Sequence, residues 1–396
     1  MRQQVEGPFR GKPLQGITYL DQLQPLLERL HNNGVDSRNN RSLFFDQYVA
    51  LLLLHFFNPI SSSLEALQQA TRLGKVQQLI GGGPFSLGAL SAAQHAFDPA
   101  LLEGLLGELI ERVGSRVPPE EWGQLEDLVA VDGSLLPALP RMRWALWQDD
   151  RHKAAKMHVQ FEVLRGIPVR VEVSHGSGSE TEALRRQLTA GHLYVTDRGY
   201  ADYQLFQDIV DHESSFIGRI KENAVWQLVK IRPLSAKAVA AGVQGDLEVW
   251  LGGDESGKVF NQSVRVVEVD TGRLESVRKP EVLLLATDRM DLEADLVALG
   301  YRFRWSVELF FRWIKRIMGL RHLLCQSQRG VAIQVYVAFI ASLLISVRIG
   351  QKPTKRTYEM ICLFFQGWAT EQELEAHIAA LHSPKSPRRK HQQGNP

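Results

Sequence analysis

The stretch LVAVD, residues 128–132, is where the chain changes character. Apolar residues, with Val129 and Val131 β-branched, run straight into a carboxylate, the pattern of a buried strand that ends on a charge. Downstream, Met157 to Leu164 and Pro168 to Val173 read as two further strands joined by a tight turn at Arg165-Gly166-Ile167. Ser179 with Glu182 caps a helix to about Leu188, and Leu193 to Asp197 (LYVTD) is a strand again. Asp202 opens a helix to about Asp211, and Ser215 to Ile220 is the next strand. The order βββαβαβ predicts an α/β fold, a mixed sheet flanked by helices, with its sites at the carboxyl ends of strands. Asp132 and Asp197 both stand at such ends.

From 221 to 288 the rhythm changes. Runs at Leu247 to Leu251, Val264 to Val269 and Val282 to Ala286, separated by glycine and charge, predict a mainly β insertion. After it a short helix is expected over Asp291 to Leu299, a long one from Arg302 to about Leu320, and an apolar one from Val331 to Ile349. Upstream of Leu128 the pattern is helical, with Leu20, Leu23, Leu27 and Leu30 at helix spacing and Gly34 as a stop. Ser62 and Glu65 form a capping box ahead of Leu64, Leu67 and Ala70, a break follows at Gly81-Gly82-Gly83-Pro84, and another helix runs from Ser86 through Phe97. Helix, break and helix suit either a helix-turn-helix reader of DNA or a bundle that only packs or dimerises. The expected division is a helical N-terminal domain over 1–125, a first catalytic part over 126–220, the insertion over 221–288, C-terminal helices over 289–380, and a basic disordered tail over 381–396.

The long helix carries the densest chemistry. Tyr301, Arg304, Glu308 and Lys315 fall within roughly a 60° arc at about 100° per residue, on one face. Phe303, Val307, Phe310, Phe311, Ile314 and Met318 gather on another, so one side is buried and the other looks into a cleft. Mixed charge on a helix is often only a solvated ladder of ion pairs. Two strand-ending aspartates upstream change that, because Asp132, Asp197 and Glu308 together make a hard-oxygen site suited to Mg2+ or Mn2+. Phosphodiester chemistry uses two such ions, roughly 3.5–4 Å apart, to activate the attacking oxygen and stabilise the leaving one. Arg304 suits forked phosphate contacts, Lys315 a point-charge contact, and the Tyr301 hydroxyl can donate to a phosphate oxygen.

Tyr301-x2-Arg304-x3-Glu308-x6-Lys315 matches the YREK signature of bacterial insertion-sequence transposases of the insertion-sequence-four family at every position. Asp132-Gly133-Ser134 resembles that family's first-aspartate motif, and Asp197-Arg198-Gly199-Tyr200 its second. Lys156-Met157-His158, Gly166-Ile167-Pro168 and Gly330-x3-Gln334-x-Tyr336 are similar to the family as well. The resemblance implies a ribonuclease-H-like catalytic core with a β insertion, and a DDE transposase reaction of cleavage and strand transfer. It further implies Asp132, Asp197 and Glu308 as ligands of two Mg2+ or Mn2+ ions per active site, and Tyr301, Arg304 and Lys315 as contacts to the transposon end. Some relatives form a hairpin and press an insertion-domain tryptophan against a flipped base. Trp250 is the candidate for that, or else a core tryptophan.

The implied partner is double-stranded DNA, both the element's terminal inverted repeats and its target, and chemistry on paired ends suits a dimer. Arg198, beside Asp197, and Arg312, near the Glu308 face, are further DNA-binding candidates. Arg141, Arg143, Arg151, His152, Lys153 and Lys156, interleaved with Trp144 and Trp147, fit a phosphate-tracking loop or a solvated one equally. Lys385, Arg388, Arg389 and Lys390 fit sequence-blind DNA affinity or a solubilising end, and Asp149, Asp150 and Asp288 read as surface carboxylates. A net charge of +2 over 396 residues does not by itself argue for nucleic acid. Cys325 and Cys362 lack zinc or disulfide-framework spacing. The first residues lack the apolar core of a signal peptide, and the apolar runs Tyr48 to Phe57 and Val331 to Val347 fall short of about 20 residues, so a cytoplasmic location with no membrane partner is expected. A catalytically silent, transposase-derived regulator and a nuclease without strand transfer are the competing readings.

Overall fold

A computed structural model describes residues 24–33, 42–58, 62–114, 120–139, 141–145, 152–252, 260–273 and 281–382. Leu20, Leu23, Gly34, Trp147, Asp149, Asp150, Arg151 and the tail cations Lys385, Arg388, Arg389 and Lys390 lie outside the described residues. The described residues within Met1–Ala89 and Arg348–Pro396 make one compact unit, and those within Leu90–Val347 the other.

In the second unit, strand β1 (Leu128–Pro137) pairs antiparallel with β2 (Ala154–Glu162), which pairs antiparallel with β3 (Ile167–His175). On its other side β1 runs parallel to β4 (Leu193–Thr196), which runs parallel to β5 (Ser215–Arg219). This meander followed by parallel strands is the mixed sheet that the strand order predicted, and it has the arrangement expected of the ribonuclease-H-like core that the resemblance implied. The segment expected as an insertion is mainly β and continues the same sheet, through β6 (Trp226–Ile231), β7 (Val243–Leu251), β8 (Val264–Asp270) and β9 (Val282–Thr287). Strand β9 docks antiparallel on β5, giving the nine-stranded order β3-β2-β1-β4-β5-β9-β8-β7-β6. Strand β6 escaped the sequence reading because it is an outer strand, with Leu228, Val229 and Ile231 exposed, and so lacks a buried apolar pattern.

Alternation along the strands divides the core into two layers. Leu128, Leu193, Val195 and Ile217 face one side, where Val297 and Ala298 of the helix Ala294–Phe303 cover them. Val129, Val131, Tyr194 and Phe216 face the other, under Leu205, Phe206 and Ile209 of the helix Tyr203–Asp211. The long helix expected from Arg302 instead begins after a tight turn: Ala294–Phe303 ends, Arg304 serves as the joint, and Trp305–Arg312 follows. Bonds of i−3 type mark the joint, from Arg304 N to Tyr301 O at 3.1 Å and from Val307 N to Arg304 O at 3.2 Å. Trp313–Ile317 then widens into a π turn.

The apolar helix Gln328–Ile349 has 22 residues, longer than expected and long enough to cross a membrane, yet 89% of its most apolar window is buried within the protein. Gln334, the polar break in it, is satisfied there, accepting from Leu324 N at 2.9 Å and donating to His322 O at 2.9 Å. Asp288, expected on the surface, is half-buried and accepts from Phe216 N at 2.8 Å, and burial raises its pKa. The reason is its position directly after β9, where it closes the seam with β5.

In the first unit the helix cap falls on Ser63, whose hydroxyl accepts from Ala66 N at 3.1 Å, rather than on Ser62. Two short helices, Leu64–Ala70 and Gly74–Ile80, precede the glycine break, and Gly81 terminates the second in the left-handed region at φ 71°. The helices Phe45–Phe57 and Lys355–Phe365 join through the Tyr358 hydroxyl, which donates to Phe56 O, and through stacked Phe57 and Phe365 rings 4.9 Å apart.

Deep in the sheet extension Arg265 is 1% exposed and donates to Asp246 at 3.1 and 2.7 Å. Arg265→Leu leaves a buried carboxylate with its main cation gone and is expected to cost about 3–5 kcal/mol in urea unfolding, most of it recovered by Arg265→Leu with Asp246→Leu. A loss below about 1 kcal/mol would show that the pair contributes little.

Candidate active site

The parallel register of β1 and β4 ends with Ala130 opposite Val195, and each strand carries its aspartate two residues past that pair, near enough for Asp197 to act on the charge of Asp132. Neighbouring strands lie about 4.8 Å apart, so the two carboxylates are held on adjacent chains. Period-2 alternation puts both on the face of Leu128 and Val195, the face covered by Ala294–Phe303. Each is pinned by one oxygen: Asp132 Oδ1 accepts from Gly133 N at 2.7 Å, and Asp197 Oδ1 accepts from Gly199 N at 2.8 Å. The second oxygen of each is thereby aimed.

Glu308 enters on the first turn of Trp305–Arg312, a helix packed on β1 and anchored by Phe310 against Phe161 of β2, centroids 5.2 Å apart. Arg304 links it to the strand. One guanidinium nitrogen donates to Glu308 Oε1 at 2.6 Å and the other lies 3.7 Å from Asp132 Oδ2. The guanidinium carbon also sits 5.9 Å from the centre of the Tyr301 ring. Tyr301 is half-buried, its hydroxyl bonded with Arg219, and burial raises its pKa.

Lys315 reaches the strand that carries Asp132. It lies in the π turn, where rotation per residue is smaller, and its ammonium donates to Ser134 Oγ at 2.9 Å and Leu135 O at 3.0 Å. Burial, then the nearby Arg316 and Arg321, lower its pKa. Of the remaining candidates, Arg198 is exposed and pairs with Glu222 at 3.5 Å, Arg312 is exposed one turn beyond Glu308, and Trp250 is 40% exposed on β7, three strands from β5. In the loop after β1, Arg141 and Arg143 are exposed, while the Trp144 indole donates to Gln326 O at 2.8 Å.

Two side chains join the site that sequence reasoning did not assign to it. Glu180, the residue after the Ser179 cap, bears on the charge of Asp132, and Tyr200 is fully buried beside the same carboxylates. The capping pattern drew notice to Ser179 and Glu182 and hid Glu180 between them. Desolvation raises the Asp132 pKa to about 7; Arg304 and the Gly133 N–H oppose this, and Asp197 and Glu180 add to it. Among the described residues no three His, Cys, Asp or Glu side chains converge tightly enough to hold an ion as they stand. The donors are all carboxylate oxygens, and a cation already bridges two of them, which suits a hard divalent ion rather than zinc or copper.

The family model "Transposase DDE domain" matches residues 123–344, more than half the chain. A chain from Sinorhizobium fredii named as transposase y4zB is 26% identical over 55% of this chain and 59% of its own length. One from Geobacillus stearothermophilus, named for insertion sequence element IS5377, is 26% identical over 52% of this chain and 52% of its own. One from Synechocystis, named for insertion sequence element IS4SA, is 20% identical over 75% and 81%. The chain therefore spans little more than half the length of the first two relatives.

The Asp132 carboxyl gives a pH test. Its folded pKa stands above its unfolded value near 3.8, so its contribution to stability is complete below that value and is lost as pH rises through about 7. In EDTA, Asp132→Asn is expected to gain stability relative to the parent between pH 4 and pH 8, by at most about 4 kcal/mol. A difference that stays flat across that range in denaturant titrations would show that Asp132 titrates normally.

Proposed function

The chain belongs to the transposase DDE-domain family, and we propose that within it the chain cuts the ends of a mobile element in a metal-dependent reaction and joins them to target DNA. The observation that carries this reading is the parallel register of β1 and β4, which brings Asp132 and Asp197, each two residues past the last pair, to the same sheet end where Glu308 arrives. Asp132, Asp197 and Glu308 would hold divalent ions, which when bound would activate the attacking oxygen and stabilise the leaving one. Backbone N–H groups at Gly133 and Gly199 orient the two aspartates before any ion arrives.

Arg304 balances the carboxylates in the free protein and is the group best placed to turn toward a DNA phosphate once ions take over that charge. Lys315 holds the far half of β1 through Ser134 and Leu135, which keeps Asp132 in line, and it is the nearer cation for a phosphate approaching along that strand. Tyr301 steadies the Arg304 guanidinium from beneath. The substrate is double-stranded DNA carrying the element's terminal repeats, handled by two copies on paired ends, in the cytoplasm.

With Mg2+ and a duplex bearing the element's end, Asp132→Ala, Asp197→Ala and Glu308→Ala are each expected to abolish cleavage while binding in a gel-shift assay is retained. Full cleavage by any one of them removes that residue from the site. Arg304→Ala is expected to weaken binding to cleaved ends and to flatten the salt dependence of log K by about 0.9, one phosphate contact. An unchanged slope rejects the phosphate role.

A further inference from the structure

Strand β4 stops at Thr196 while β1 continues to Pro137, so beyond Ala130 the β4-facing edge of β1 has no strand partner. Glu180, at the start of the helix Glu180–Arg185, reaches into this gap from the opposite face of the sheet to Glu308. Both of its carboxylate oxygens rest on glycines. Oε1 occupies the space a Cβ on Gly133 would need, and Oε2 stands 3.5 Å from where a Cβ on Gly199 would stand. Those glycines follow Asp132 by one residue and Asp197 by two, so the carboxylate of Glu180 spans the two aspartate motifs.

A second observation comes from Tyr200. Its side chain is 0% exposed, and its hydroxyl has no hydrogen-bond partner among the described residues. The charges that act on it are Glu180 first, then Asp132 and Asp197, with Arg304 opposing them. A buried hydroxyl without a partner is costly, and the anions within electrostatic reach of this one are the Glu180, Asp132 and Asp197 carboxylates. An acid and a hydroxyl from separate elements thus stand on the sheet face opposite Glu308.

We propose that Glu180 is a fourth carboxylate of the metal centre, binding an ion on the Asp132–Asp197 side directly or through its water, with the Tyr200 hydroxyl donating to the oxygens held there. This rests on the metal-centre reading given above. In the free protein Lys156 supplies the counter-charge, its ammonium 3.1 Å from Glu180 Oε1 and 3.1 Å from Gly178 O. Lys156 is therefore to Glu180 what Arg304 is to Glu308, a cation that an arriving ion displaces from its carboxylate.

Calorimetric titration of the full chain with Mn2+ and no DNA tests this. E180Q is expected to weaken Mn2+ binding by on the order of 10–100-fold, D132N to weaken it as well, and K156M to leave it equal or tighter because a competing cation is gone. Parent-like Mn2+ affinity in E180Q overturns the inference. Equal weakening in E180Q and K156M also overturns it, since that is the signature of a structural ion pair. Should D132N bind as tightly as the parent, the metal-centre reading itself fails and this inference with it, whereas a weakened D132N beside an unaffected E180Q removes Glu180 alone. If E180Q does not fold by circular dichroism, E180D, which keeps the charge and shortens the reach, takes its place, with weaker Mn2+ binding expected and unchanged binding overturning the assignment.

Discussion

Carboxylates brought together in a partly buried space repel one another, and the rest of this structure is arranged around that repulsion. Desolvation, with a smaller push from Asp197 and Glu180, raises the Asp132 pKa to about 7. Two cations answer it in the free protein, Arg304 between Asp132 and Glu308 and Lys156 against Glu180. Both are side chains on flexible arms that can leave without unfolding the scaffold. The carboxylates themselves cannot leave, since backbone N–H groups fix one oxygen of each aspartate and the helix packed on β1 fixes Glu308.

The scaffold is correspondingly rigid where the charge is greatest. The central strands β1, β4 and β5 are covered on both faces, by Val297 and Ala298 on one and by Phe206 and Ile209 on the other. Strand ends protrude from this double-sided core, so a charged residue just past the last buried position meets solvent on one side and an ordered backbone on the other. The same sheet then grows outward through β9, β8, β7 and β6, and burial fades until the outermost strand is exposed along nearly its whole length.

Much of this was legible in the chain. LVAVD and LYVTD announce buried strands that end on acids, because apolar β-branched runs have few other uses, and the spacing from Tyr301 to Lys315 draws attention to Glu308 before any geometry is known. What stayed hidden depends on tertiary detail. Strand β6 has no buried face to pattern its residues. The tight turn at Arg304 and the π turn at Trp313–Ile317 leave the apolar periodicity almost intact and so go unannounced. Glu180 looks like an ordinary first-turn acid, favourable to any helix dipole, until Gly133 proves to be cut away to receive it.

The first unit carries a consequence for how the chain is made. Phe56 and Phe57 leave the ribosome well before their partners Tyr358 and Phe365, which are roughly three hundred residues further on. Throughout synthesis of the nine-stranded sheet, the apolar run from Phe45 to Phe57 has to wait without the helix that will close over it. A nascent chain in that condition is a natural client for a chaperone, and the helix Lys355–Phe365 acts as the clasp that ends its exposure.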